Sequence, residues 1–188
     1  MATPYGHALF GLSLILFWRP RSNPQPGKGW KMYGSFLLLA VAPDFDFIPG
    51  IIVGFPGRYH QGALHSLGFA LALALGVGWA AKWLSGYAFW PLSGFAFLLV
   101  FSHLALDFFT EDLRPPIGFP IFWPLTAERT LSPFSIFPHV IRQWPHPEFW
   151  SRNLWAAGVE TLVLMPGLTA AFLVRRFKRP CLRVIAAG

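Results

Sequence analysis

From about Leu64 to Leu84 the chain carries one formal charge, Lys82, and between Ala70 and Ala81 it reads ALALALGVGWAA. A helix of that length crosses a hydrocarbon core of about 30 Å. It also satisfies its own backbone, which lipid requires because no water is present to do so. Two further apolar runs reach a similar length, from about Tyr87 to Phe109 and from Leu154 to Val174. Residues 5 to 18 are apolar but short for a span. Residues 33 to 53 are apolar but interrupted by Pro43-Asp44-Phe45-Asp46. The pattern predicts an all-α fold, an integral membrane bundle of about five helices, with a long Pro- and Trp-rich outer loop from Pro115 to Trp150.

Composition agrees with this reading. Of the 188 residues 54% are hydrophobic and 12% charged, where a soluble domain has roughly a quarter charged. The 18 glycines and 18 prolines interrupt apolar runs and form no polar tract, so disorder is not expected. No linker, composition shift or repeat divides the chain, and a single domain over 1–188 is expected. The lone cysteine, Cys181, leaves no internal disulfide or thiolate zinc cluster, so any metal takes N and O ligands.

The net charge of +7 invites a nucleic-acid reading, but its location argues otherwise. Arg19, Arg21, Lys28 and Lys31 form one cluster, and Arg175, Arg176, Lys178, Arg179 and Arg183 form another. Both flank apolar stretches, as cytoplasmic loops do, and no nucleic-acid partner is expected. The first apolar segment has no basic stretch before it and no small-residue cleavage site after it, so it is expected to be a retained helix. With five helices the positive-inside rule places the 19 to 31 loop and the 175 to 188 tail in the cytoplasm and the N-terminus outside. His7, Asp44, Asp46, His60, His65, His103, Asp107 and Glu160 then all fall toward the outer side.

Asp44, Asp46, Asp107 and Glu160 are four of only eight acidic residues, and they sit in or beside apolar segments, where an ionised carboxylate is costly. A divalent cation offsets that cost, and imidazole with carboxylate is its usual ligand set when thiols are absent. His103 and Asp107 are four apart and share a helix face. They fit either one shared ion or a hydrogen-bonded pair. His60 and His65, five apart, fall at a loop-to-helix junction. Asp44 after Pro43 suits a helix cap or a turn as well as a ligand, and Asp46 is either its partner or its solvated neighbour. Glu160 fits a ligand, a partner of Arg152, or a bond to a neighbouring helix. His7 reads equally as an interfacial residue. His139 and His146 read as interfacial loop residues. Trp123, Trp144 and Trp150 suit the headgroup layer, and Arg114, Arg129 and Arg142 suit either phosphate contacts or snorkelling.

Five motifs in order carry a resemblance: His7, then Ala42-Pro43-Asp44-Phe45-Asp46, then His60-Gln61-Gly62-Ala63-Leu64-His65-Ser66, then Ser102-His103 with Asp107, and Gly118 through Trp123-Pro124. The chain resembles the YdjM-like membrane-bound metal-dependent hydrolases, which are distantly similar to the zinc-dependent phospholipase C and P1 nuclease group. The resemblance implies metal ligands at His7, His65, His103 and Asp107, a ligand or general base at Asp44 or Asp46, and an acidic ligand at Glu160. Two departures, Gln61 where the family often has Arg and Leu64 where it often has Thr, bear on substrate identity more than on metal.

These readings together predict a membrane-bound metal-dependent hydrolase. Two or three divalent ions per chain, zinc or manganese, would activate water, with Asp44 or Asp46 handling its proton. A site at the membrane boundary makes a lipid phosphoester the expected substrate. The expected location is the inner (plasma) membrane, multi-pass, with the site on its periplasmic or extracellular face. A metal or proton transporter and a metal-stabilised scaffold are the alternatives.

Overall fold

Thr3-Pro4 is a helix start. The Thr3 hydroxyl accepts the Gly6 N–H at 3.0 Å, and a proline in the first turn has no amide to leave unsatisfied. Helix α1 accordingly runs Pro4–Phe17. The computed structural model describes residues 1–18, 29–55, 57–113, 116–142 and 145–177. Arg19, Arg21, Lys28, Arg114, Trp144, Lys178, Arg179, Cys181 and Arg183 lie outside the described residues. The remaining helices are α2 (Gly29–Val41), α3 (Phe47–Ile52), α4 (Leu67–Ser85), α5 (Phe89–Phe108) and α6 (Phe149–Phe177), with a 3₁₀ turn at Ala42–Asp46 between α2 and α3. Pro43 accounts for that turn: an α-helix cannot continue through it without losing a hydrogen bond.

Among the described residues four stretches are long and apolar enough to cross a membrane: Lys31–Ile52, Leu67–Ser85, Phe89–Phe108 and Phe149–Phe177, with Pro4–Phe17 a shorter apolar companion. The described residues thus form the expected all-α membrane bundle. Two boundaries differ from the sequence reading. α6 begins at Phe149, ahead of the apolar run, and α4 begins only at Leu67, with Ser66 capping it by accepting the Phe69 N–H at 3.1 Å. His60 and His65 therefore belong to the turn before α4.

α4 packs on α5 and α1 on α6, with α2 against both α1 and α5. Small residues let the backbones approach. A Cβ on Gly11 would lie 2.5 Å from the Ala40 Cβ, and one on Gly78 would lie 1.9 Å from the Ser93 Oγ. Ile15, Phe36, Ala40, Leu92, Phe95 and Leu99 fill the end of the bundle where α1 finishes. Ala70, Val100, Leu104 and Phe119 fill the α4–α5 seam at the end where α4 starts and α5 finishes. The outward surface is apolar too, with Trp79, Trp83, Leu84, Trp90 and Leu162 all exposed. In water such a surface would aggregate; in a bilayer it is the solvated side.

The long loop is pinned under the bundle end. Phe119 is fully buried and pairs with Thr130 by backbone hydrogen bonds of 3.2 and 3.1 Å. Gly118 has φ +74°, and a Cβ there would lie 2.5 Å from the Thr130 carbonyl oxygen, so glycine is required. Arg129 donates to the carbonyls of Gly118, Ile117 and Gln61. Its guanidinium is thereby spent on tying the loop to the His60–His65 turn. No sequence signal distinguished this role from a phosphate contact.

Candidate metal centre

Three elements and one turn meet at the same end of the bundle. The 3₁₀ turn forced by Pro43 supplies Asp44 and Asp46, the turn before α4 supplies His60 and His65, α1 supplies His7, and the last turns of α5 supply His103 and Asp107. The side chains of His7, His65, His103 and Asp107 have no exposed surface, while Asp44 keeps 11%.

The distances are those of a ligand shell. His65 Nε2 and His103 Nε2 are 3.3 Å apart, and each is 3.4 Å from Asp107 Oδ2. Asp44 Oδ1 lies 3.5 Å from His103 Nε2 and 3.8 Å from His65 Nε2. Four donors bound tetrahedrally to zinc at its usual bond lengths stand roughly 3.3–3.6 Å from one another. The other Asp107 oxygen, Oδ1, lies 3.3 Å from His7 Nε2, so this carboxylate faces two groups of donors. Within each of two buried groups, His7 with His103 and Asp107, and Asp44 with His60 and His65, the donor atoms all lie within 4.8 Å. Either group could hold an ion.

Surrounding groups aim these donors. His103 Nδ1 lies 3.0 Å from the Ala40 carbonyl oxygen, which fixes its proton there and turns Nε2 inward. His65 Nδ1 lies 3.0 Å from Asp46 Oδ2, and His60 Nδ1 lies 2.7 Å from Asp46 Oδ1. Asp46 therefore bridges two histidines as an orienting carboxylate, the arrangement that raises ligand basicity in zinc sites. Ala2 N–H donates to Asp107 Oδ1 at 2.9 Å, and the His7 and His103 rings stack with centroids 3.6 Å apart.

A cation fits this chemistry. Both His7 nitrogens, both Asp44 oxygens and Asp107 Oδ2 are buried without a hydrogen-bond partner, although such groups almost always find one. Buried donors aimed at one another are what a bound ion satisfies.

Glu160 is placed differently from the other acids. Its carboxylate accepts from the Thr3 N–H at 2.6 Å and from the Thr3 hydroxyl, so it anchors the start of α1 beside the cluster. Arg152 is not its partner; it approaches His139 at 3.4 Å. His139 Nδ1 lies 2.6 Å from Glu111 Oε2, and His146 Nδ1 accepts the Glu148 N–H at 3.1 Å, so both remain in the loop. Thr3 and the Ala40 carbonyl were not legible as site groups, because neither a capping threonine nor a helix carbonyl has a sequence signature of ligation.

Burial alone would push the His65 imidazole down, but the Asp107 and Asp46 carboxylates beside it, at 3.4 and 3.0 Å, outweigh this and hold it up to about 9. Burial pushes His60 down to about 4. In metal-free protein the His65 contribution to stability is full below its ordinary value near 6.5 and is lost as pH rises through about 9. A metal needs the neutral imidazole, so loading near pH 7 releases about one proton from His65. Titration calorimetry in buffers of differing ionisation enthalpy measures that number. No proton release at pH 7, with release appearing only at acid pH, would remove His65 from the shell.

A multi-pass helical membrane bundle closed at one end by a buried His/Asp centre of metal-ligand geometry defines the class. Within it, the chain belongs to the YdjM inner membrane protein family, whose model matches residues 1–179. It is thus a multi-pass inner membrane protein. No curated protein and no solved structure matches it.

Proposed function

We propose that this chain is a metal-dependent hydrolase of a lipid phosphoester, working at the outer face of the inner membrane. The observation that carries the reading is the triangle of His65 Nε2, His103 Nε2 and Asp107 Oδ2 with sides of 3.3, 3.4 and 3.4 Å, closed by Asp44. When bound, a divalent ion such as zinc or manganese there would lower the pKa of a coordinated water and offset charge on a phosphoryl oxygen. His65, His103 and Asp107 hold the ion, and Asp46 keeps His65 in the required tautomer. Asp44 has both oxygens unpartnered and some exposure, so it is the carboxylate available to take a proton from an attacking water. His7 and Asp107 Oδ1 provide donors for a second ion.

The lipid assignment rests on what surrounds Asp44. The segment that follows it is apolar and exposed at Phe45, Ile48, Ile51, Ile52 and Phe55. An apolar rim at the one accessible ligand suits a substrate whose tails stay in hydrocarbon while its phosphate reaches the centre. Purified protein in lipid is expected to cleave a phosphoester lipid, lose activity to a strong chelator and regain it with zinc or manganese. A water-soluble phosphodiester should react poorly, since it gains no binding from the bilayer. Equal turnover of soluble analogues would remove the lipid from the reading and leave the metal chemistry. Metal-replete protein inert across a broad phosphoester panel would instead favour a transporter or a scaffold.

A further inference from the structure

At the end of the bundle opposite the His/Asp centre, α1, α2 and α6 leave a crevice between them. It is lined by Leu12, Ile15, Leu16, Tyr33, Phe172, Arg175 and Arg176 and has a volume of about 470 Å³. That size is within the roughly 300–1,000 Å³ range of small-molecule sites. The walls are apolar, while two guanidinium groups stand at the mouth. Arg175 is held in place, donating to the Tyr33 hydroxyl while its guanidinium lies 5.1 Å from the centroid of the Tyr33 ring. Among the described residues neither arginine forms an ion pair with a carboxylate, and the lining includes no acidic residue.

We infer that this crevice is a binding site for an acidic glycerophospholipid, with an acyl chain along Leu12, Ile15, Leu16 and Phe172 and its phosphate on Arg175 and Arg176. A free phosphate would engage the two guanidinium groups and leave the apolar walls without a matching part of the ligand, which an acyl chain supplies. The paired guanidiniums match a lipid of net negative charge. A zwitterionic lipid brings its own cation against them. Basic pockets between membrane helices bind acidic headgroups in this way. The same bundle end carries Lys31 and Lys82, which add to the field over it. Although α1 carries both His7 of the centre and Leu12, Ile15 and Leu16 of the crevice, the two share no residue, and the crevice does not depend on what the centre does.

Native mass spectrometry of the full chain released from detergent, titrated with phosphatidylglycerol or phosphatidylcholine, tests this. One phosphatidylglycerol is expected to remain bound where phosphatidylcholine is lost. Arg176→Ala, which keeps the Arg175–Tyr33 hydrogen bond, should weaken that binding roughly fivefold, and the double change with Arg175→Ala more than tenfold. Leu16→Trp, which fills the crevice, should remove the bound lipid while both arginines stay. Equal retention of the two lipids would overturn the inference. So would a loss from Lys82→Ala as large as that from Arg176→Ala, because attraction would then come from the bundle end as a whole. Retention of phosphatidylglycerol by folded Leu16→Trp would place the lipid elsewhere.

Discussion

Replacing His103 or Asp107 with alanine is expected to lower the bound metal by about one ion per chain and to abolish any hydrolysis, whereas His139→Ala leaves both as they are. His103 and Asp107 are four residues apart in the last turns of α5, and their facing atoms are 3.4 Å apart with no exposure. Each alanine removes a donor from the buried shell. His139, by contrast, is engaged with Glu111 in the loop. Removing one partner from a buried charged network costs about 3–5 kcal/mol, so the alanine variants will also be less stable. Asp107→Asn separates the two effects, because it keeps the shape and removes the charge. Elemental analysis of protein with an intact helical circular dichroism spectrum is the measurement. Full metal content in folded His103→Ala and Asp107→Asn would sink the proposed centre.

The second large effect is expected at Asp46, which acts through the two histidines it holds. Asp46→Asn keeps the volume but offers a single acceptor where His60 and His65 each have one now, at 2.7 and 3.0 Å. Loss of such an orienting carboxylate typically costs 10–100-fold in metal affinity, and a competition titration with a chelating dye reads that range. Glu160→Gln is the matching comparison. Its carboxylate is taken up by Thr3, so that variant should keep its metal affinity while losing stability at the start of α1. A drop in affinity as large for Glu160→Gln as for Asp46→Asn would put Glu160 among the ligands and remove the distinction between the two acids.

Much of this architecture was legible because lipid imposes simple demands. Helices α4, α5 and α6 follow from the apolar runs near Leu64 to Leu84, Tyr87 to Phe109 and Leu154 to Val174, and the scarcity of acids in and beside apolar segments made Asp44, Asp46 and Asp107 conspicuous. The i, i+4 spacing of His103 and Asp107 is a local property, so their shared face could be read from numbering. Positive residues at Lys31, Lys82 and Arg175–Arg176 put the acidic and imidazole groups at the other end on sequence alone.

What the chain order could not supply was the division of labour among those groups. Asp44 and Asp46 are two residues apart in one 3₁₀ turn, and only the approach of the His60–His65 turn separates them: Asp46 lies 2.7 Å from His60 and 3.0 Å from His65, while Asp44 stands farther from its histidines, 3.5 Å from His103 and 3.8 Å from His65. That approach depends in turn on Arg129, more than sixty residues away, holding the Gln61 carbonyl at 3.2 Å. Glu160 has the same look as the other buried acids in the sequence, and it is the packing of α1 on α6 that brings Thr3 to it. Periodicity reports which side of a helix a residue faces because that is fixed by the helix itself. Which atom meets which across helices is fixed by crossing geometry and loop tethering, and only the tertiary structure decides those.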